Sequence, residues 1–140
     1  MIEIRQFQPA DKKAVIQLWY DCNLVVPWND PEKDIQRKLD DGTDYFLVAE
    51  VDGLLVASVM GGYDGHRGYI NYLVVAPEFR SRGFAHMMMS EIESRLKAAG
   101  CPKINLMVRK TNIDIVEFYE SLGYRADQSV LLGKRLIPDD

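Results

Sequence analysis

Arg80, Ser81, Arg82, Gly83, Phe84 and Ala85 place small residues and two arginines between an apolar stretch and an amphipathic one, a pattern suited to cradling a pyrophosphate. Upstream, residues 69–75 read as a strand, with Ile70, Leu73, Val74 and Val75 β-branched or apolar, and Pro77 prevents its continuation. Downstream, Ala85, Met88, Met89, Ile92, Leu96 and Ala99 follow the spacing of a helix with one buried face. A helix that starts near Gly83 leaves its first N–H groups without intrahelical acceptors and turns its positive dipole end toward the loop, where an anion is stabilised. Gly83 has no side chain to keep the backbone away from phosphate oxygens. The same composition also fits a tight strand-to-helix turn with solvated arginines, so the rest of the chain must decide.

The elements that would position this loop can be read in order. Residues 2–7 form a strand, and Pro9 with Asp11 opens a helix through about residue 23, with Val15, Leu18, Trp19 and Cys22 inward. Residues 24–30, with Pro27 and Trp28, are a loop, and residues 31–41 are a helix with Pro31 in its first turn and Gly42 as its stop. Strands over 43–51 and 54–61 flank an Asp52-Gly53 hairpin turn, and residues 62–68 form a glycine-rich connector to the strand at 69–75. After the helix ending at Gly100 come a strand at 103–108 and a helix at 112–122, with Ile115, Phe118, Tyr119 and Leu122 on one face and Gly123 as its cap. Residues 124–136 supply one or two closing strands. The result is an α/β (α+β) mixed sheet covered by helices in one domain, residues 1–140, with no repeats or linkers.

Composition narrows the function. At 140 residues, 47% hydrophobic and 27% charged, the chain is an ordinary globular domain. A net charge of -4 and a pI near 5.2 argue against general nucleic-acid binding and weakly favour approach of cationic amines. A phosphate site must therefore be locally basic, which Arg80 and Arg82 supply. No signal peptide, membrane span or lipidation signal is visible, so no membrane association is expected and the chain reads as cytoplasmic. The two cysteines, Cys22 and Cys101, lack metal-ligand spacing, and with only His66 and His86 no metal centre is expected. Cys22 reads as a buried structural thiol.

Val75-x-Pro77-x-x-Arg80-x-x-Gly83-x-Ala85 resembles the acyl-CoA pyrophosphate loop of the GNAT superfamily of N-acetyltransferases. Asn112-x-x-Ile115-x-x-Phe118-Tyr119-Glu120-x-Leu122-Gly123-Tyr124 resembles that family's C-terminal signature. Two motifs are far more specific than either alone, and the element order extends the resemblance to nearly the full chain. It implies the acyl-CoA N-acyltransferase fold, mostly antiparallel, in which the strand at 69–75 splays from that at 103–108. It further implies acetyl-CoA as co-substrate, with its pyrophosphate on residues 80–85, chiefly on backbone N–H groups. The pantetheine arm would lie on the backbone of Leu73, Val74 and Val75, where an N–H near Val75 polarises the thioester. Asn112 would contact the cofactor and Tyr119 would protonate the departing thiolate, since a phenol with a pKa of about 10 stays protonated at neutral pH. Read as residues alone, Asn112 is also a good helix cap, Tyr119 also a good core tyrosine, and an unbroken sheet also fits.

The general base is where the chain departs from the family. Many members carry a Glu at the positions of Tyr69 or Asn71, and ribosomal-protein N-terminal acetyltransferases carry one where Met107 stands. Glu50, Asp64, His66 or ordered water stay open as alternatives. A lysine amine with pKa about 10.4 costs roughly 4.6 kcal/mol to deprotonate at pH 7, against about 1 to 1.4 for an α-amine, so a weak base suits α-amines better. The expected activity is acetyl transfer from acetyl-CoA directly to a primary amine of a small molecule, peptide or protein, without an acyl-enzyme. A non-catalytic acyl-CoA sensor or interaction module is the alternative, and a nucleotide-binding regulator lacks the glycine motifs it would need. Residues 24–41 and 63–68, with Trp28, Tyr63 and His66, would line the acceptor side. Acyl-chain preference and a homodimer are left open.

Overall fold

The computed structural model describes residues 1–139. Five strands, β1 (Ile2–Gln6), β2 (Phe46–Val51), β3 (Leu54–Tyr63), β4 (Gly68–Val75) and β5 (Ile104–Leu106), form one sheet in that spatial order. The first three junctions are antiparallel, and β4 runs parallel to β5. Short connections explain the antiparallel meander from β2 to β4: Asp52 (φ 51°) and Gly53 (φ 80°) close a two-residue hairpin of the left-handed type. The parallel pair needs a crossover, and the helix that begins at Phe84 provides it.

Phe46, Leu47, Val48 and Ala49 of β2, and Val56, Ala57, Ser58 and Val59 of β3, are fully buried, so both faces of the central strands are covered. The helix α1 (Lys12–Asp21) buries Val15, Leu18 and Trp19, and α3 (Phe84–Ala98) buries Met88, Met89, Ile92 and Leu96. Gly61 lies close under α3: a Cβ there would sit 3.0 Å from both Ile92 Cδ1 and the Tyr45 carbonyl, which would have to yield. Phe7 stacks on Phe46 at 4.3 Å between ring centroids. Arg5 ties the sheet edge to the start of α1, donating to Glu50 at 2.7 Å and to both oxygens of Asp11 at 2.8 Å.

The helix α2 (Pro31–Asp41) has the ends its sequence demands. Asp30 caps it by accepting from the Glu32 N–H at 2.9 Å, Pro31 needs no donor in the first turn, and Gly42 follows at φ 137°. Asp139 binds the same end: one carboxylate oxygen accepts the Asp30 N–H at 2.7 Å and the other accepts from Arg37 Nη2 at 2.8 Å.

Boundaries differ from expectation where pairing decides them. The second strand begins at Phe46 rather than residue 43, because only from Phe46 does it meet β3, and β3 runs on to Tyr63 opposite Gly68. The expected strand at 103–108 is only Ile104–Leu106, the part that meets β4. The first helix stops at Asp21, leaving Cys22 half-buried with its thiol 3.6 Å from the Val75 carbonyl rather than in the core. Ala99 lies past the end of α3 and is exposed.

Two compact units result, one of residues 1–106 with Asp139 and one of residues 107–138. The second contains α4 (Ile113–Ser121), whose Tyr119 ring meets Phe118 and Tyr124 edge-on at 5.1 and 5.6 Å. The closing strands expected within 124–136 are absent. Local bonds replace them: Asp127 accepts the Ser129 N–H and hydroxyl at 2.9 Å, and Arg125 donates to the Glu120 and Tyr124 carbonyls. Val130, Leu131 and Leu132 are consecutive rather than alternating, so they present no single strand face.

Candidate active site

β4 changes character halfway along. Gly68 and Ile70 pair with β5, the Gly68 N–H reaching the Lys103 carbonyl at 2.9 Å, but β5 ends opposite Ile70. Beyond that point β4 contains one extra residue relative to β3, because Asn71 opposes Met60 while Val74 opposes Ser58. The bulge falls at Tyr72, whose φ of 53° is left-handed. The Ala76 N–H then donates to Val56 at 2.7 Å, so by alternation Ala76 and Val74 turn their backbone groups toward β3. Leu73 and Val75 turn theirs to the opposite side, which β5 has left uncovered. An extended thiol-bearing arm could add there as a strand would.

The six-residue loop follows at once. Ser81 (φ 65°) and Gly83 (φ 80°) are both left-handed, and α3 begins at Phe84. The first helical bond is from the Met87 N–H to the Gly83 carbonyl at 3.1 Å. Ser81, Arg82, Gly83, Phe84 and Ala85 therefore have N–H groups with no backbone acceptor among the described residues, gathered at a positive helix end. A Cβ at Gly83 would meet nothing within 4 Å, so the φ value and the open approach, not crowding, select glycine.

Both arginines are exposed and bond back to the segment before the loop. Arg80 donates from Nε to the Val75 carbonyl at 3.1 Å and its Nη2 lies 3.6 Å from Cys22 Sγ. Arg82 reaches the Glu78 carbonyl at 3.4 Å and lies over the Phe79 ring at 5.0 Å. These contacts tie the turn to the residues before it. Burial pushes the Cys22 thiol up despite the neighbouring Arg80, which disfavours a thiolate nucleophile.

In the second unit, Asn112 occupies the N-cap position of α4 without a side-chain capping bond, so its amide is not consumed by the helix. Tyr119 lies seven residues, two turns, further along the same helix face. Burial pushes the Tyr119 hydroxyl up to about 12, which keeps it protonated and able to donate.

The carboxylates considered as bases are engaged elsewhere. Glu50 pairs with Arg5 at 2.7 Å on β2. Asp64 accepts the His66 and Arg67 N–H groups at 2.7 Å in the β3–β4 turn, and those bonds hold its carboxyl below the usual range. Met107 and Trp28 are exposed, and Tyr63 donates to the Gly65 and Gly100 carbonyls. Sequence reading missed Tyr72 and Asp34, whose hydroxyl and carboxylate lie 2.6 Å apart. A bulge leaves no compositional mark, and a pair 38 positions apart leaves no spacing signal.

Residues 13–124 match the family described as Acetyltransferase (GNAT) family. The chain belongs to that family. An acetyltransferase of Yersinia enterocolitica is 55% identical over 138 residues, 99% of this chain and 98% of that protein. As a GNAT acetyltransferase the chain also shares its fold with solved structures of low sequence identity. AAC(6')-Iy, in complex with the bisubstrate analog CoA-S-monomethyl-acetylneamine, superposes with a TM-score of 0.78 at 17% identity over 98% of this chain and 99% of that one. Ribosomal-protein-alanine N-acetyltransferase of Brucella melitensis gives 0.78 at 19% identity over 96% of this chain and 99% of that one. The mixed sheet flanked by helices is the acyl-CoA N-acyltransferase fold, and the chain is an N-acetyltransferase. Among the described residues no helix is long and apolar enough to cross a membrane, and no cluster of three His, Cys, Asp or Glu could hold a metal ion.

Proposed function

We propose that this GNAT member, acting as one domain, moves the acetyl group of acetyl-CoA directly onto a primary amine. The observation that carries this reading is the set of N–H groups from Ser81 to Ala85 without a backbone acceptor, placed directly after a strand whose Leu73 and Val75 backbone groups lack a partner strand. Those amides receive the pyrophosphate, with Arg80 and Arg82 bracing the turn and adding positive charge. Leu73, Val74 and Val75 carry the pantetheine arm, and the Val75 N–H polarises the thioester carbonyl. Asn112 assists in holding the cofactor, and Tyr119 gives its proton to the departing sulfur. The bisubstrate complex of AAC(6')-Iy supports CoA as the carrier and an amine as the acceptor.

The acceptor is a primary amine, with α-amines favoured over lysine side chains. The structure of ribosomal-protein-alanine N-acetyltransferase supports an α-amine by analogy of fold. The absence of any carboxylate on β4 favours the same choice, because an α-amine is easier to deprotonate by about 3 kcal/mol.

Thermal shift with acetyl-CoA, followed by thiol release across amines, tests the reading. Acetyl-CoA should raise the unfolding midpoint, and a peptide with an N-terminal alanine should release thiol faster than N-acetyl-lysine amide. Stabilisation without turnover on any amine would instead indicate an acyl-CoA sensor, and acetylation of lysine alone would overturn the acceptor preference.

A further inference from the structure

Tyr72 holds a backbone conformation, φ 53°, that bulky residues adopt only where the surroundings force it. Bulges beside reaction clefts re-aim a side chain, and this one sits directly before Leu73. The Tyr72 ring lies flat on Trp19, 3.7 Å between centroids and 7° between planes. Its carbonyl accepts from Ser58 Oγ at 2.9 Å, and Ser58 in turn accepts from Trp19 Nε1 at 3.0 Å. Ring, carbonyl and backbone are thus fixed from α1 and β3, and the hydroxyl is delivered to Asp34 Oδ2 on α2 at 2.6 Å.

Asp34 keeps capacity beyond that bond. Its other oxygen, Oδ1, lies 3.7 Å from Arg37 Nη1, outside hydrogen-bond reach, while Arg37 donates to Asp139 at 2.8 Å. The Asp34 side chain is 24% exposed, so a solute can reach it. Burial, with the Asp34 carboxylate beside it, raises the Tyr72 phenol, which keeps it a protonated hydroxyl at neutral pH.

We propose that Tyr72 and Asp34 together take the proton of the acceptor ammonium, the task for which β4 offers no carboxylate. The inference rests on the acetyl-transfer reading above. In the step, one N–H bond of the ammonium breaks as its proton passes to the Tyr72 oxygen, while the Tyr72 proton passes to Asp34 Oδ2. The freed nitrogen lone pair attacks the thioester carbon, the C–S bond breaks, and the thiolate takes its proton from Tyr119. A second proton leaves the nitrogen and restores Tyr119 through solvent, and Asp34 returns its proton to water, so one proton is released per acetyl group moved.

Tyr72→Phe keeps the stack on Trp19 and removes only the hydroxyl; Asp34→Asn keeps the shape and removes only the charge. Each is assayed for stabilisation by acetyl-CoA and for thiol release with an alanine-ended peptide, spermidine and N-acetyl-lysine amide. Hydroxylamine, uncharged at neutral pH, serves as the acceptor that needs no deprotonation before attack, after subtraction of its uncatalysed rate. In both variants acetyl-CoA stabilisation should match wild type, and kcat/KM for the best ammonium acceptor should fall by about 10²-fold. With hydroxylamine the loss should stay within about 3-fold, because no base is required. Equal losses with both acceptor types would mark a merely structural role, and wild-type kcat/KM in both variants would overturn the assignment outright. If acetyl-CoA fails to stabilise the wild-type protein, or no amine is acetylated, the acetyl-transfer reading itself falls and takes this inference with it.

Discussion

Gly83→Ala isolates the phosphate cradle from the rest of the fold. Gly83 sits at φ 80° and ψ 9° before the first turn of α3, and a Cβ built there meets nothing within 4 Å. Alanine therefore adds no clash, only the left-handed backbone penalty of roughly 1–2 kcal/mol. Because the turn is exposed, the unliganded variant can shed that strain by leaving the left-handed conformation, and acetyl-CoA must then restore it. Binding should weaken by the same free energy, about 5- to 30-fold in Kd. Gly53→Ala supplies the matched control: it has the same φ of 80° and the same empty surroundings, but lies in the β2–β3 hairpin. There the strain should appear as lost stability of about 1 kcal/mol with unchanged acetyl-CoA affinity. Isothermal titration with acetyl-CoA, beside urea unfolding of both variants, reads the two effects separately. A Gly83→Ala Kd within 2-fold of wild type, or an equal loss of affinity in Gly53→Ala, would refute the cradle.

Tyr119→Phe should lower kcat by about 10²-fold while leaving acetyl-CoA binding close to wild type, as measured by single-turnover kinetics and titration. Because burial lifts the Tyr119 hydroxyl to about 12, the wild-type rate should show no loss from ionisation of this group up to about pH 11. Ser58→Ala removes the acceptor for the buried Trp19 indole and the donor to the Tyr72 carbonyl, so urea unfolding should show a loss of about 1–3 kcal/mol. Arg5 holds the Asp11 carboxyl below its ordinary value, and a carboxyl so lowered lends stability above about pH 4 that is lost as pH falls through its folded value. Arg5→Leu should therefore destabilise by about 1–2 kcal/mol at neutral pH, with partial exposure limiting the effect, and should flatten the acid limb of a stability-against-pH curve.

Elements with local signals were legible in the sequence. Pro31 and Gly42 mark the two ends of α2, and Asp52-Gly53 marks the hairpin, because caps and turns are decided by the residues that form them. The buried stripe of α3 was legible for the same reason, since periodicity is a property of the segment itself. Strand extents were not, because a strand lasts only as long as its neighbour: β5 shrank to three residues, and the apolar run at 130–132 formed no strand. The candidate loop at residues 80–85 was visible as composition, but the bonds of Arg80 and Arg82 depend on carbonyls and a ring that composition does not announce. Tyr72 was the deepest omission. Its bulge is imposed by the register of β3 and by the Ser58 and Trp19 bonds, contacts that join three distant stretches of chain.

Backbone amide resonances during titration with acetyl-CoA test the central claim most directly. The account predicts large downfield shifts and slowed hydrogen exchange at Ser81, Arg82, Gly83, Phe84 and Ala85, with smaller changes at Leu73 and Val75, and loss of the loop response when pantetheine replaces the full cofactor. Saturating acetyl-CoA that leaves those five amides unmoved while perturbing another surface would contradict it.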